Sequence, residues 1–100
     1  MRECQTMDEV REEIDRLDRR LVTLLAERSG YVEQAARIKT QENQIRDVPR
    51  IDDVIAKVRR HSEAAGLDAD LAERIWRGMI ESFIDHEHAK HRRIHHREPG

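Results

Sequence analysis

The longest regular pattern in the chain is a run of apolar residues at alternating spacings of four and three, the pattern of one face of an α-helix. Its members are Val10, Ile14, Leu17, Leu21, Leu24, Tyr31, Ala35 and Ile38. Only Arg28 interrupts the series. The segment Thr6-Met7-Asp8-Glu9 has the spacing of a capping box, in which the Thr6 hydroxyl and the Glu9 carboxylate bond the first free amides. We therefore predict a first helix from this point to about residue 40.

Two further helices are predicted after a polar connector, residues 40–49, whose final Pro49 suits the opening of a helix. The second helix has its inward stripe at Ile51, Val54, Ile55 and Val58. Gly66 lies where a left-handed C-terminal cap is needed, and Asp68 can cap the start of the third helix. The buried side of the third helix is predicted at Leu71, Ile75, Trp76, Met79, Ile80, Phe83 and Ile84. Residues 1–6 and 93–100 are expected to fray.

Composition supports an all-α fold of three helices, one long, one short and one long. Charged residues make up 40% of the 100 residues and aromatic residues 3%, a balance typical of helical bundles. With only two Pro and four Gly, few turns are expected. The composition does not change along the chain, so residues 1–100 are predicted to form a single domain. Disorder is disfavoured because a solvated chain has no reason to maintain apolar periodicity.

The length of the first helix predicts a second copy of the chain. Thirty-odd residues in a helix span about 50 Å, whereas a compact domain of this size has a diameter of roughly 35 Å. A partner chain would cover the overhanging apolar residues, so we expect an intertwined homodimeric bundle with sites shared between the chains. A monomer kinked at Gly30 is the alternative.

Net charge and cysteine content narrow the function classes. The net charge is −2 with both signs interspersed, which gives no reason to expect nucleic acid as a partner. Cys4 is the only cysteine, so an intrachain disulfide is excluded. The sequence shows neither a signal peptide nor a membrane span, and a cytoplasmic location without a membrane partner is expected.

Arg28 and Lys39 are predicted to point in the same direction along the first helix. Eleven residues separate them, which returns the helix to within about 20° after a rise of roughly 16 Å. The small residues Val32, Ala35 and Ala36 lie between them, so the two cations could close on a ligand with two carboxylates. In an antiparallel dimer, a second chain could add Arg11. Equally, Arg28 could fix register in a helical seam or extend its head into water.

In the third helix, a glutamate occupies a position at which the periodicity predicts an apolar residue. Trp76, Ile80, Phe83 and Glu87 recur at helical spacing, which turns Glu87 towards the core. Desolvation is expected to raise the pKa of such a carboxyl, which would then serve as a proton donor near neutral pH. The alternative, favoured for Glu87 on its own, is a salt bridge to Lys39 or Lys90.

These residues resemble the all-α class of chorismate mutases, small intertwined dimers with three helices per chain. The resemblance runs from about residue 8 to about residue 91. It is carried by VREEIDRLDRRLVTLLAER, by YVEQAARIK, by RDVPR and by GLD. It implies that Arg28, Lys39 and the Arg11 of a second chain hold the two carboxylates of chorismate, a small dicarboxylate. It also implies that Lys39 and Glu87, the latter usually a glutamine in this family, bond the ether oxygen of the substrate.

The resemblance further implies that Asp47 and Arg50 border the pocket near the ring hydroxyl. Ile51 replaces a glutamate that helps to bind this hydroxyl, and Phe83 replaces a small polar residue. Ile51 together with Glu87 resembles 4-amino-4-deoxychorismate mutases, and YVEQAARIK is also similar to isochorismate pyruvate lyases of the same fold. The resemblance thus implies the fold and the substrate class and leaves the exact substrate open. Activation by a partner enzyme stays open.

The implied reaction is a pericyclic rearrangement in the shikimate pathway, towards aromatic amino acids, and it needs no cofactor. A zinc site at His88, His91 and His95, which share one face, is a minor alternative. HEHAKH lacks the second histidine of the zincin motif, because Lys90 stands in its place. The rival of a different class is a non-enzymatic dimeric helical module.

Overall fold

The computed structural model describes residues 1–95, whose regular elements are all helices, with no strand among them. Helix α1 is Met7–Ile38, α2 is Val48–Ala65 and α3 is Ala69–His95, with a short 3-10 turn at Glu42–Gln44. The predicted all-α class with three helices is therefore confirmed. Fraying was expected from residue 93, but α3 continues to His95, and residues 96–100 lie outside the described part.

The helix ends follow the local signals in the sequence. The Thr6 hydroxyl accepts from the amide of Glu9 at 3.2 Å, while the Glu9 carboxylate accepts from the amide of Gln5, one residue before the position that a capping box uses. At the start of α3, Asp68 Oδ1 accepts from the amides of Asp70 and Leu71 at 2.8 and 3.1 Å. These two bonds hold the pKa of Asp68 below its ordinary value, because they stabilise the carboxylate.

Gly66 ends α2 with a φ of 77°, in the left-handed region that a side chain disfavours. The amide of Leu67 then donates to the Ser62 carbonyl at 2.8 Å, which satisfies a carbonyl at the end of the helix. The sequence signal for this turn was therefore correct.

The chain divides into two compact units, Met1–Tyr31 and Val32–Gly100. In the second unit, α2 packs on α3 around a small core of Ile45, Ile55, Ile80 and Ile84. The buried line of α3 runs through Ala72, Ile80, Ile84, Glu87 and His91. Leu71 and Ile75, predicted to be buried, are exposed in the single chain. Viewed down the helix, Leu71 lies about 100° and Ile75 about 60° from Ala72, on the side away from the rest of that line.

The first unit is the N-terminal part of α1 with the residues before it. Its apolar residues are largely uncovered in the single chain: Ile14 is 50%, Leu21 54% and Leu24 60% exposed. An apolar stripe of this kind normally packs against another surface.

Candidate active site

The candidate site contains a lysine and a glutamate that come from opposite ends of the second unit's sequence. Lys39 follows the last residue of α1, and its amide still donates to the Ala35 carbonyl at 2.9 Å. Its Nζ donates to Glu87 Oε2, on α3, at 2.9 Å. Glu87 is 7% exposed and the Lys39 side chain 29%. The predicted salt bridge of Glu87 is thus present, and its partner is Lys39 and not Lys90.

This pair explains how a glutamate can occupy the buried line of α3. An ionised carboxylate is costly to remove from water unless a counter-charge and hydrogen bonds compensate. An ammonium has three N–H donors, and Glu87 engages one of them. The same ammonium can therefore also donate to a second acceptor while it keeps Glu87 as a partner.

Two histidines of α3 bond carbonyl groups at the end of α1. The last carbonyls of a helix have no partner within the helix. His91 Nε2 lies 2.9 Å from the Lys39 carbonyl oxygen, and His95 Nε2 lies 2.9 Å from the Ala36 carbonyl oxygen. The two rings lie against each other with centroids 4.1 Å apart and planes inclined by 33°. His91 is 1% exposed, and its Nδ1 has no hydrogen-bond partner among the described residues.

Acidic residues on both sides of Lys39 have other cations as partners. Glu33 binds Lys90 at 3.0 Å, and Glu42 Oε1 binds His88 Nδ1 and Arg92 Nε, both at 2.9 Å. The hydrogen bond from His88, supported by the charge of Arg92, holds the pKa of Glu42 below its ordinary value. These contacts tie the residues around Lys39 to α3.

The start of α2 carries the predicted ring-hydroxyl residues. Asp47 is the N-cap of α2 and accepts from the amide of Arg50 at 3.1 Å. The Arg50 guanidinium is 3.0 Å from Asp53 Oδ2, and Ile51 packs against the core. The structure thus brings Asp47 and Arg50 together through the cap, while their role towards a ligand stays a prediction.

The connector that precedes α2 is joined to α3 by a bidentate ion pair. Arg46 Nη1 and Nη2 donate to the two carboxylate oxygens of Glu81 at 2.9 and 2.6 Å. This contact lowers the pKa of Glu81 through the hydrogen bonds and the charge of Arg46.

The remaining predicted residues lie in other settings. In the first unit, Arg11 is largely exposed with Nη1 3.7 Å from Asp8 Oδ1, and Arg28 is half-buried. An approach of either residue to Lys39 stays a prediction. Phe83 is half-buried on α3, and its ring meets that of His86 edge-on with centroids 6.4 Å apart.

The predicted floor of small residues is partly closed. Val32 and Ala35 keep some exposed surface, whereas Ala36 is fully buried and its carbonyl is bonded by His95. Only the first two can therefore face a ligand.

Among residues 1–95, no group of three or more His, Cys, Asp or Glu side chains is placed to hold a metal ion. The three histidines of the zinc alternative are directed to Glu42 and to the carbonyls of Lys39 and Ala36. None of the helices in this part of the chain has the length and hydropathy to cross a membrane.

Sequence reasoning missed His91 and His95 as partners of α1. The available signal was spacing: His91 follows Glu87 by four residues and His95 follows by eight, so all three share one face of α3. What the spacing could not reveal is that this face meets backbone carbonyls.

The fold and the pair of Lys39 and Glu87 define a small all-helical domain with a lysine held beside a buried carboxyl group. A family model described as chorismate mutase type II matches residues 10–88, a range that includes every residue predicted to bind the substrate. The chain belongs to this family.

Two curated relatives show the range of the family. The chain is 33% identical over 82 residues to the isochorismate pyruvate lyase of Pseudomonas aeruginosa, a match that covers 82% of this chain and 81% of that protein. It is 35% identical over 83 residues to the T-protein of Haemophilus influenzae, covering 81% of this chain but only 22% of that longer protein.

Proposed function

We propose that this protein is a chorismate mutase, which converts chorismate to prephenate. In this intramolecular rearrangement the C–O bond of the enolpyruvyl ether breaks while a C–C bond forms to the ring, and no atom enters or leaves. A protein can accelerate it by holding the side chain over the ring and by placing positive charge at the ether oxygen. The family membership supports this reaction class.

The observation that carries the proposal is the Lys39 ammonium held 2.9 Å from the buried Glu87 carboxyl. In the proposed complex, Lys39 donates to the ether oxygen as negative charge develops there. In this complex Glu87, which accepts from Lys39 in the free protein, takes up a proton and supports the same oxygen as a second donor, since only a protonated carboxyl can donate. Loss of one such donor typically costs about 10²–10³ in kcat.

The other roles concern binding. Arg28 and the Arg11 of a second chain hold the two substrate carboxylates, and guanidinium groups suit carboxylates because they bind them in a bidentate manner. Asp47 and Arg50 lie near the ring hydroxyl, with Ile51 and Phe83 on the pocket wall. Since these contacts act on ground and transition states alike, their loss should raise KM as well as lower kcat.

The proposal includes a homodimer. The uncovered apolar stripe of the first unit, with Leu21 and Leu24 more than half exposed, supports a partner of the same kind. A second copy presents the same stripe, so one interface covers both.

The second candidate function is isochorismate pyruvate lyase. Its support is the 33% identity to a relative of that name, over most of both chains. A third substrate, 4-amino-4-deoxychorismate, is suggested by Ile51 together with Glu87. The three substrates are distinguished by their products.

The test incubates purified protein with chorismate, isochorismate and 4-amino-4-deoxychorismate, following the loss of enolpyruvyl absorbance and the release of pyruvate. Consumption of chorismate without pyruvate is the expected result. Pyruvate from isochorismate alone would make the lyase correct, and consumption of only the 4-amino compound would assign the amino substrate.

Lys39→Ala then separates an enzyme from a purely structural helical module. The enzyme should lose about 10²–10³ in kcat while the dimer persists. Lys57→Ala is the matched control, because Lys57 also forms an ion pair, at 2.7 Å to Asp53, but on the exposed side of α2. Wild-type protein that is inert towards all three compounds would leave the structural module as the remaining class.

A further inference from the structure

We propose that His91 is a positioning residue that fixes the backbone of Lys39, and through it the place of the catalytic ammonium. The inference rests on the proposed function, because it assigns the role of Lys39. His91 lies beyond residues 10–88, the range matched by the family model. The observation behind this inference is that α3 holds a single residue, Lys39, at two points.

The first point is the side chain, bound by Glu87, and the second is the carbonyl, bound by His91. Glu87 and His91 are four residues apart on α3, so their side chains lie one above the other on the same face. Both are buried, with 7% and 1% exposure. A shift of α3 would therefore move both partners of Lys39 together.

Lys39 needs this second contact because it lies just past the end of α1. Its amide is held by the Ala35 carbonyl, but its own carbonyl is beyond the ladder of the helix. Without a donor at that oxygen, the peptide plane after Lys39 could rotate. The direction in which the side chain leaves the backbone would then vary.

The geometry also assigns the tautomer of His91. A carbonyl oxygen can only accept, so the nitrogen 2.9 Å from it, Nε2, must carry the proton. Nδ1 is buried without a partner among the described residues, which suits a bare lone pair. A ring with its proton on Nε2 is therefore the one that holds Lys39.

His95 provides a matched control on the same helix face. It bonds the Ala36 carbonyl at the same distance of 2.9 Å and packs against His91, but it does not contact Lys39. If the histidines only close the end of α1, removal of either should have the same effect. If His91 positions Lys39, only its removal should affect turnover strongly.

The experiment measures kcat and KM of His91→Phe, His91→Gln and His95→Phe with the substrate that wild-type protein consumes. His91→Phe keeps a ring but no donor, and its kcat should fall about 10- to 100-fold with KM little changed, the scale expected for a catalytic group displaced by up to 1 Å. His91→Gln places an amide donor near the position of Nε2, so its kcat should stay close to wild type. His95→Phe should also stay close to wild type.

Three kinetic results would overturn the inference: wild-type kcat in His91→Phe, an equal loss in His95→Phe, or no recovery in His91→Gln. If His91→Phe does not fold, the tautomer of the wild-type protein decides, measured by nitrogen-15 NMR of the imidazole. An Nε2–H ring with a bare Nδ1 is expected, and an Nδ1–H ring would refute the contact. Absence of wild-type turnover on any substrate would instead be a failure of the proposed function, visible before any variant is made.

Discussion

Lys39→Met should destabilise the fold more than Glu87→Gln does, although both changes break the same ion pair. Methionine keeps the length of the lysine stem but leaves the Glu87 carboxyl, 7% exposed, without its 2.9 Å partner. Breaking a fully buried pair costs about 3–5 kcal/mol. Because the Lys39 side chain is 29% exposed and water reaches the pair, we expect about 1–3 kcal/mol instead.

Glu87→Gln is expected to cost under about 1 kcal/mol, since the amide is neutral and the partly exposed ammonium can turn to water. The double variant Lys39→Met/Glu87→Gln has no stranded charge. Its cost should therefore be smaller than the sum of the single costs, with a coupling of about 1–2 kcal/mol.

The assay is urea denaturation followed by circular dichroism, with the protomer concentration held constant because the stability of a dimer depends on it. The same cycle on Lys57 and Asp53, an exposed pair at 2.7 Å, is the control and should give a much smaller coupling, because solvent screens the pair. Additive costs for Lys39 and Glu87, or equal losses in Lys39→Met and Lys57→Met, would refute the argument that Glu87 depends on Lys39.

Three further predictions test the site and the assembly. Arg11→Ala and Lys39→Ala should each be inactive, yet a 1:1 mixture refolded together should recover about a quarter of the activity, because half of the dimers would then have one of their two sites intact; no recovery would place Arg11 and Lys39 in the same chain's site or outside it. Leu21→Glu should give monomers in sedimentation, since each buried leucine contributes about 1.5–3 kcal/mol; an unchanged dimer would mean that the exposed stripe is not the interface. His88 and Arg92 hold the pKa of Glu42 below its ordinary 4.5, so its stabilising effect is present above pH 4.5 and is lost as the pH falls through the lowered value; the urea midpoints of wild type and Glu42→Gln should therefore differ at pH 7 and converge in acid, and a constant gap would contradict this.

The helices and their ends were predictable because they depend on local chemistry. A threonine or aspartate at an N-cap bonds amides two or three residues away, as Thr6 and Asp68 do. A glycine at a C-terminal cap needs only its own freedom at positive φ, as at Gly66. Signals of this kind are complete within a few residues of the sequence.

The partners of the charged side chains were less predictable, because they lie far apart in sequence. Periodicity predicted that Glu87 points towards the core, but it left both Lys39 and Lys90 as possible partners of its carboxyl group. In the structure, Lys39 forms an ion pair with Glu87, and Lys90 forms one with Glu33. With charged residues at 40% of the chain, many pairings satisfy the same spacing rules, and only the packing of α3 selects among them.

The position of Lys39 shows why a helical pattern can indicate a catalytic cation without placing it. The series along α1 fixes the side of the helix on which residue 39 falls, but Lys39 lies after the last helical residue, where the pattern no longer constrains the backbone. There its amide is held by Ala35 and its carbonyl by His91, while its ammonium is held by Glu87. Two of these three constraints come from α3, about fifty residues further along the chain. A substitution on α3 can therefore displace the Lys39 ammonium without any change in the sequence of α1, and this coupling is what the comparison of His91→Phe with His95→Phe measures.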